Sequence, residues 1–290
     1  MARLLPRRAV SERTLPIVRF PVRLLARRQP QDVEIHTVGD VSVRLHRPPG
    51  PATGPHPALL WIHGGGFVIG TAAQDDGTCR RFARELGAVV AAVEYRLAPE
   101  HRFPVPLHDC HDALAWLAAR DDVDASRVAI GGASAGGGLA AGLALLARDR
   151  GEVHPVAQVL AYPMLDDRTV LRNDIDQRSL RLWDNRSNGF GWSSYTGLPP
   201  GSPAVSGLAA PARCEDLTGL PPAWIGVGTL DLFHDEDVAY ARSLRDAGVD
   251  CELQIVEGAF HGFDGVRPHS QVSKAFLAGQ DAVLAAAFAR

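Results

Sequence analysis

The chain reads as an α/β protein in which a mainly parallel central sheet is covered by helices on both faces. Short, continuous apolar runs recur at 58–62, 88–93, 128–130, 156–161, 223–227 and 253–256. Strands covered on both faces are apolar along their length, whereas half-exposed strands alternate. Helix-like stretches at about 75–87, 107–120, 135–149, 235–247 and 268–289 separate the runs, the last three rich in Ala and Leu. Such strand–helix alternation implies crossover helices on a parallel sheet.

From the beginning of the chain, the first 28 residues hold eight arginines and one acid, Glu12. Leu15, Val18, Leu24 and Leu25 can line one side of a helix that Pro6, Pro16 and Pro21 interrupt. Residues 1–32 are therefore expected to form an arm folded over the body, as part of a cap. Residues 33–47 alternate polar and apolar side chains around Gly39-Asp40, the pattern of an antiparallel hairpin. A Pro/Gly-rich loop at 48–57 leads into the apolar runs, and the hairpin plus those runs give about eight strands. The rhythm breaks at 165–220, which is polar, holds two tryptophans and lacks a strand-like run. A structureless loop of that length inside a compact domain is improbable, so this stretch is expected to be an inserted cap with helices of its own. The body is then 33–164 together with 221–290.

Composition narrows the function. With 30 basic and 33 acidic residues, a net charge of −3, the chain has no clustered basic excess for nucleic acid. Cys79, Cys110, Cys214 and Cys251 are scattered without metal or disulfide spacing. No apolar run reaches the length of a membrane span, and no secretory leader is apparent. A cytoplasmic location without stable membrane insertion is expected. A homodimer is an open expectation with no residues to assign to it.

The chemistry-bearing residues fall at strand ends. After the run 128–130 comes Gly132-Ala133-Ser134-Ala135-Gly136, followed by an Ala/Leu helix. A serine on a tight strand-to-helix turn projects its hydroxyl above the sheet, and small neighbours let the turn close. The helix dipole points at the same spot, where an oxyanion would develop. A second string, His63-Gly64-Gly65-Gly66, follows the run 58–62 and leaves backbone amides unobstructed. A serine hydroxyl needs a base, and the base needs a partner to fix its tautomer. Asp231 follows the run 223–227 and His261 follows 253–256. In parallel sheets, groups at the carboxyl ends of strands collect in one crevice, so separations of 97 and 30 residues are no obstacle.

Six strings, in order, carry a resemblance: H-G-G-G-F-V-I-G at 63–70, E-Y-R-L-A-P-E-H-R-F-P at 94–104, G-A-S-A-G-G at 132–137, Y-P-M-L-D-D at 162–167, L-D-L-F-H-D-E at 230–236 and G-A-F-H-G-F at 258–263. From Ala58 onward the chain resembles the hormone-sensitive-lipase-like branch of the α/β-hydrolases, a group of microbial carboxylesterases and related deacetylases. The resemblance implies an α/β-hydrolase fold with a helical cap and a cofactor-free, metal-free serine carboxylesterase acting on small, short-chain acyl esters. It makes Ser134 the nucleophile, His261 the general base and acid, Asp231 its orienting carboxylate, and the amides of Gly64, Gly65 and Ala135 the oxyanion hole. Ala133 stands where many relatives carry an acid, and Asp231-Leu232-Phe233 replaces the common D-P-L. Alternatives are a non-catalytic small-molecule binding module on the same fold, and an acyltransferase or deacetylase of a specific metabolite.

Several residues compete for these roles. Asp235, Glu236 and Asp237 open a helix, where carboxylates favour free amides. Asp264 lies three residues after His261, too near to orient it from behind, and His234 is the other histidine near the site. His101, His108, Asp109, His111 and Asp112 have the composition of a metal site without its spacing. Phe67, Trp192 and Leu232 are the candidates for an acyl or alcohol pocket, with Phe190 and Tyr195 beside them; cap packing accounts for aromatic residues there equally well.

Overall fold

A computed structural model describes residues 10–51 and 54–290; the first nine residues of the expected arm lie outside them. Eight strands form one sheet: β1 Glu34–Val38, β2 Val41–His46, β3 His56–Ile62, β4 Val89–Glu94, β5 Val123–Ala133, β6 Gln158–Ala161, β7 Ala223–Gly228 and β8 Cys251–Val256. Their order is β1-β2-β4-β3-β5-β6-β7-β8. Strand β2 runs against both of its neighbours, and every pairing from β4 to β8 is parallel.

The helices are α1 Leu15–Ala26, α2 Asp76–Leu86, α3 Val105–Ala118, α4 Ala135–Arg150, α5 Asn185–Thr196, α6 His234–Asp246, α7 Phe263–Val266 and α8 Gln271–Phe288. Side chains alternate across each strand, so the apolar runs feed two cores. Leu60 and Ile62 of β3 join Leu107, Leu114, Leu143 and Tyr240, from α3, α4 and α6, on one face. Leu59 and Trp61 join Phe82, Phe276 and Leu284, from α2 and α8, on the other. The doubly covered, mainly parallel sheet expected from the apolar runs is present.

Differences from the sequence reading have local causes. Strand β5 starts well before its apolar run because Val123 pairs with His56 at the polar end of the sheet, where Arg127 also holds Asp124. Strand β8 is an edge strand, so Ile255 is half-exposed. Helix α1 holds Pro16 in its first turn, where the missing N–H has no partner to lose, and continues through Pro21 in its interior. Leu24 is exposed, because nine residues at 100° place it opposite the buried Leu15. The inward stripe instead contains Arg19, whose guanidinium donates to the Val68 and Ala98 carbonyls at 2.7 and 2.6 Å and pairs with Glu100.

The 165–220 stretch contains α5 and two short 3-10 turns, 167–171 and 211–213. Buried Asp167 takes Arg213 at 2.6 and 2.9 Å and the Gly201 amide at 2.6 Å. Glu236, at the start of α6, accepts the amides of Leu165 and Asp166 at 2.7 and 3.2 Å and the Thr169 hydroxyl. Glycines also let two carbonyls from this half of the chain lie against α4. A Cβ on Gly138 would stand 2.1 Å from the Met164 oxygen, and one on Gly142 2.5 Å from the Leu208 oxygen.

Candidate active site

Ser134 joins β5 to α4 at φ 57°, ψ −122°, a backbone conformation that side chains rarely adopt. Close approach of neighbouring backbone enforces the turn. A Cβ on Gly136 would meet the Ile62 oxygen at 2.0 Å, and one on Gly132 the Gly136 oxygen at 2.4 Å. The G-x-S-x-G string is thus a steric requirement of packing β5, α4 and the end of β3 together. The Ser134 amide donates to Ala161 at 2.9 Å, and its carbonyl accepts from Gly138 and Met164 at 3.0 Å each.

The loops after β7 and β8 bring the other two residues to this turn. His261 Nε2 lies 2.9 Å from Ser134 Oγ, and His261 Nδ1 lies 2.9 Å from Asp231 Oδ2. The second Asp231 oxygen accepts the Phe233 amide at 3.0 Å, and its side chain has no solvent exposure. Edge-on rings of Tyr162 and Phe233, at 4.9 and 5.2 Å, wall the imidazole. Ser134, Asp231 and His261 are therefore one hydrogen-bonded line, as the three strand ends suggested.

Three of the four rival acids have other partners, and Asp237 has none among the described residues. Asp235 pairs with Arg172 and with His234 Nδ1, each at 2.7 Å. Glu236 holds the start of the 165–220 stretch. Asp237 is fully buried with no hydrogen bond to its carboxylate, and burial pushes its pKa well up. Asp264 accepts the Tyr162 hydroxyl at 2.8 Å, and burial again raises its pKa.

Beside the serine runs the triple-glycine loop. A Cβ on Gly64 would lie 2.9 Å from the Ala133 oxygen and 3.3 Å from Ser134 Cβ, so this glycine touches the serine turn. Gly65 adopts φ +129°, where a Cβ would strike the Ile69 oxygen. Ala135 opens α4. Among the described residues no protein acceptor takes the amide of Gly64, Gly65 or Ala135. Unengaged amides beside a nucleophile are what a developing oxyanion requires.

The pocket candidates separate. Phe67 and Trp192 have no exposed surface: Phe67 stacks on Tyr195 at 4.1 Å and tilts against Trp192 at 5.2 Å, forming a buried aromatic cluster. Of the two readings open for such aromatics in the sequence, packing describes their placement. Leu232 lines a recess of about 420 Å³ with Arg172, Ile175, Leu180, Leu230 and His234. Among the described residues no group of three His, Cys, Asp or Glu side chains can hold a metal ion. Asp109 of the candidate cluster is paired with Arg96, and His111 contacts Arg150 at 2.9 Å.

Trp183 escaped the sequence reading, and the role of Glu236 was missed. The Trp183 indole covers Gly66, where a Cβ would lie 2.0 Å from its ring, and α5 comes close through Gly191. A tryptophan in a polar stretch gives no hint of this. In the sequence Glu236 reads as a helix-start acid for the free amides of its own helix; its burial against the amides of Leu165 and Asp166 follows from tertiary packing alone.

With this geometry established, comparisons place the chain. The alpha/beta hydrolase fold family model matches residues 59–265. The chain belongs to the α/β-hydrolase family. The resemblance carried by the six strings is borne out. The chain is 35% identical over 251 residues to esterase LipI of Mycobacterium tuberculosis, covering 82% of this chain and 78% of that protein. It is 37% identical over 229 residues to an ethyl acetate hydrolase of Pseudomonas putida, covering 76% and 70%. Among solved structures, a bacterial heroin esterase superposes with a TM-score of 0.87 at 40% identity, over 98% of this chain and 95% of that one. These relatives are named as ester hydrolases. No helix among the described residues is long and apolar enough to cross a membrane.

Proposed function

We propose that this α/β-hydrolase is a cofactor-free serine carboxylesterase that hydrolyses short-chain acyl esters. The unbroken line Ser134–His261–Asp231, with both links at 2.9 Å, carries this reading, and the activities named for its relatives support it. Asp231 accepts the Nδ1–H of His261, which leaves the Nε2 lone pair facing the serine hydroxyl. As Ser134 Oγ attacks the ester carbonyl, His261 takes its proton, and the amides of Gly64, Gly65 and Ala135 hold the tetrahedral oxyanion. The imidazolium protonates the departing alkoxide, giving an acyl-enzyme and free alcohol. A water deprotonated by His261 then releases the acid. In this reading the arm and the 165–220 stretch form the cap, and the recess beside Leu232 belongs to the approach to the site.

An acyl-like organophosphonate with peptide mapping, run beside assays on p-nitrophenyl acetate, butyrate and palmitate, tests the proposal. Labelling at Ser134 with turnover favouring the short esters is expected. Ser134→Ala should stay folded, take up no label and lose essentially all turnover; more than a few per cent residual activity would exclude Ser134 as nucleophile. Folded wild-type protein with neither label nor turnover would favour a binding module.

A further inference from the structure

The two glycine amides assigned to the oxyanion belong to peptide planes whose carbonyls are themselves tied down, by His63 of the same loop and by residues outside both the triad and the loop. In a planar trans peptide the N–H points opposite to the C=O of the same unit. Whatever fixes the carbonyl of residue 63 therefore aims the amide of Gly64, and whatever fixes the carbonyl of Gly64 aims the amide of Gly65.

The His63 oxygen accepts the hydroxyl of Tyr95 at 3.1 Å. Tyr95 follows the end of β4, is 2% exposed, and stacks its ring on the His63 imidazole at 4.2 Å with an interplanar angle of 14°. Burial holds the Tyr95 phenol well above its usual pKa, so it stays a donor. The Gly64 oxygen receives His63 Nδ1 at 2.8 Å and Gln74 Nε2 at 3.3 Å. Burial lowers the His63 pKa; the neutral ring carries its proton on Nδ1, and Nε2 is left buried without a partner. Gln74 is placed in turn by its contact with the Thr71 amide, and Glu94 accepts the Thr71 hydroxyl and the Ala72 amide at 2.7 and 2.8 Å. The neighbours Glu94 and Tyr95 thus brace both peptide planes from the adjacent strand, one through Thr71 and Gln74 and the other directly.

We infer that Tyr95, and through a weaker bond Gln74, are positioning residues for the oxyanion hole: each orients one amide by holding the carbonyl of the same peptide. The inference rests on the esterase reading above. In this reading neither side chain contacts the ester. Their effect is confined to the state in which negative charge has formed, because a misaimed N–H loses hydrogen-bond energy to an oxyanion and little to a neutral ester carbonyl.

Tyr95→Phe removes one hydroxyl and keeps the ring stacked on His63, so it isolates the bond. Removing an oxyanion donor outright costs about 10²–10³ in turnover; releasing the carbonyl behind one should cost a part of that, about tenfold in kcat. KM for p-nitrophenyl butyrate should stay within about twofold, and affinity for a trifluoromethyl ketone, which forms a tetrahedral oxyanion on the serine, should fall by the same factor as kcat. Exposed Gln74 supplies a second variant that does not threaten the core: Gln74→Met should lower kcat about threefold with the same split. Unchanged kcat in both variants, or a rise in KM with ketone affinity preserved, overturns the inference. If wild-type protein is not labelled at Ser134 and does not turn over, it is the esterase reading that fails; if wild type is active and Tyr95→Phe matches it, only the inference about Tyr95 fails.

Discussion

The turn that carries Ser134 and the stretch 165–220 are held by different physics. At the turn, backbone lies on backbone: the positions of Gly132 and Gly136 leave no room for a methyl group between β5, α4 and the end of β3. Within the 165–220 stretch, side chains tie segment to segment, through Asp167 with Arg213 and through Glu236 with two amides and a hydroxyl, and backbone contact is limited to seats such as Leu208 on Gly142. A backbone contact tolerates no addition, whereas a side-chain contact can be exchanged for another of similar chemistry. The reacting geometry is therefore confined to few sequences, while the region above it is open to variation, a division that suits a fixed reaction with adjustable specificity.

The largest effect expected on the reacting side is chemical. Asp231→Asn should leave the fold in place and lower kcat by up to about 10⁴, the cost of the wrong imidazole tautomer in a Ser-His-Asp triad. A near-normal rate would move the orienting role to another carboxylate. Gly136→Ala tests the backbone side directly. With a carbonyl 2.0 Å from the new methyl group, the loss should be about 3 kcal/mol or more, with activity falling alongside because the serine turn must shift. Denaturant unfolding and activity on a short ester check both parts.

On the side-chain-held region the expected effects are smaller and of another kind. Asp167→Ala leaves the Arg213 guanidinium without its carboxylate and should cost about 3 kcal/mol; activity on p-nitrophenyl acetate should change less than the preference between acetate and longer esters. Equal losses on all esters would erase the distinction drawn here.

A further effect is a pH dependence within the body. Burial raises the Asp75 carboxyl to about 7, against the pull of its hydrogen bond from Trp61 Nε1 at 3.0 Å. Its folded pKa therefore exceeds the unfolded value near 3.9. The folded state keeps a proton that the unfolded chain gives up, so this contribution to stability is complete below about pH 4 and is lost as pH rises through about 7. The thermal midpoint should fall between pH 5 and pH 8, and Asp75→Asn should fall less. Parallel curves for the two proteins would rule out Asp75 as a source.

How much of this was legible in the sequence follows the same division. Strand ends were readable because continuous apolar runs report burial on both faces, and Ser134, Asp231 and His261 lie just past three of them. The glycine strings were readable because only glycine satisfies the close approaches. Polar anchors in apolar-looking or solvated patterns were not. Arg19 sits on the inward stripe of an arginine-rich helix, and nothing in its neighbours marks it as the one that turns inward. Glu236 stands between two other acids, and its burial depends on where residues 165–169 return. Phe67 and Trp192 had the right chemistry for a pocket, but aromatic character alone does not tell a wall from a core.

The notches at Gly138 and Gly142 carry a consequence for how substrate arrives. With the carbonyls of Met164 and Leu208 seated directly on α4, which begins just after Ser134, lifting residues 165–220 away as one flap would strip backbone from backbone along that helix. Substrate entry that leaves these contacts in place, through side-chain movement beside the site, is then the cheaper route, and an oil–water boundary does nothing to promote it. Rate should accordingly follow a single hyperbola as a sparingly soluble ester is raised through its solubility limit, without the jump at emulsion formation that marks interfacial activation.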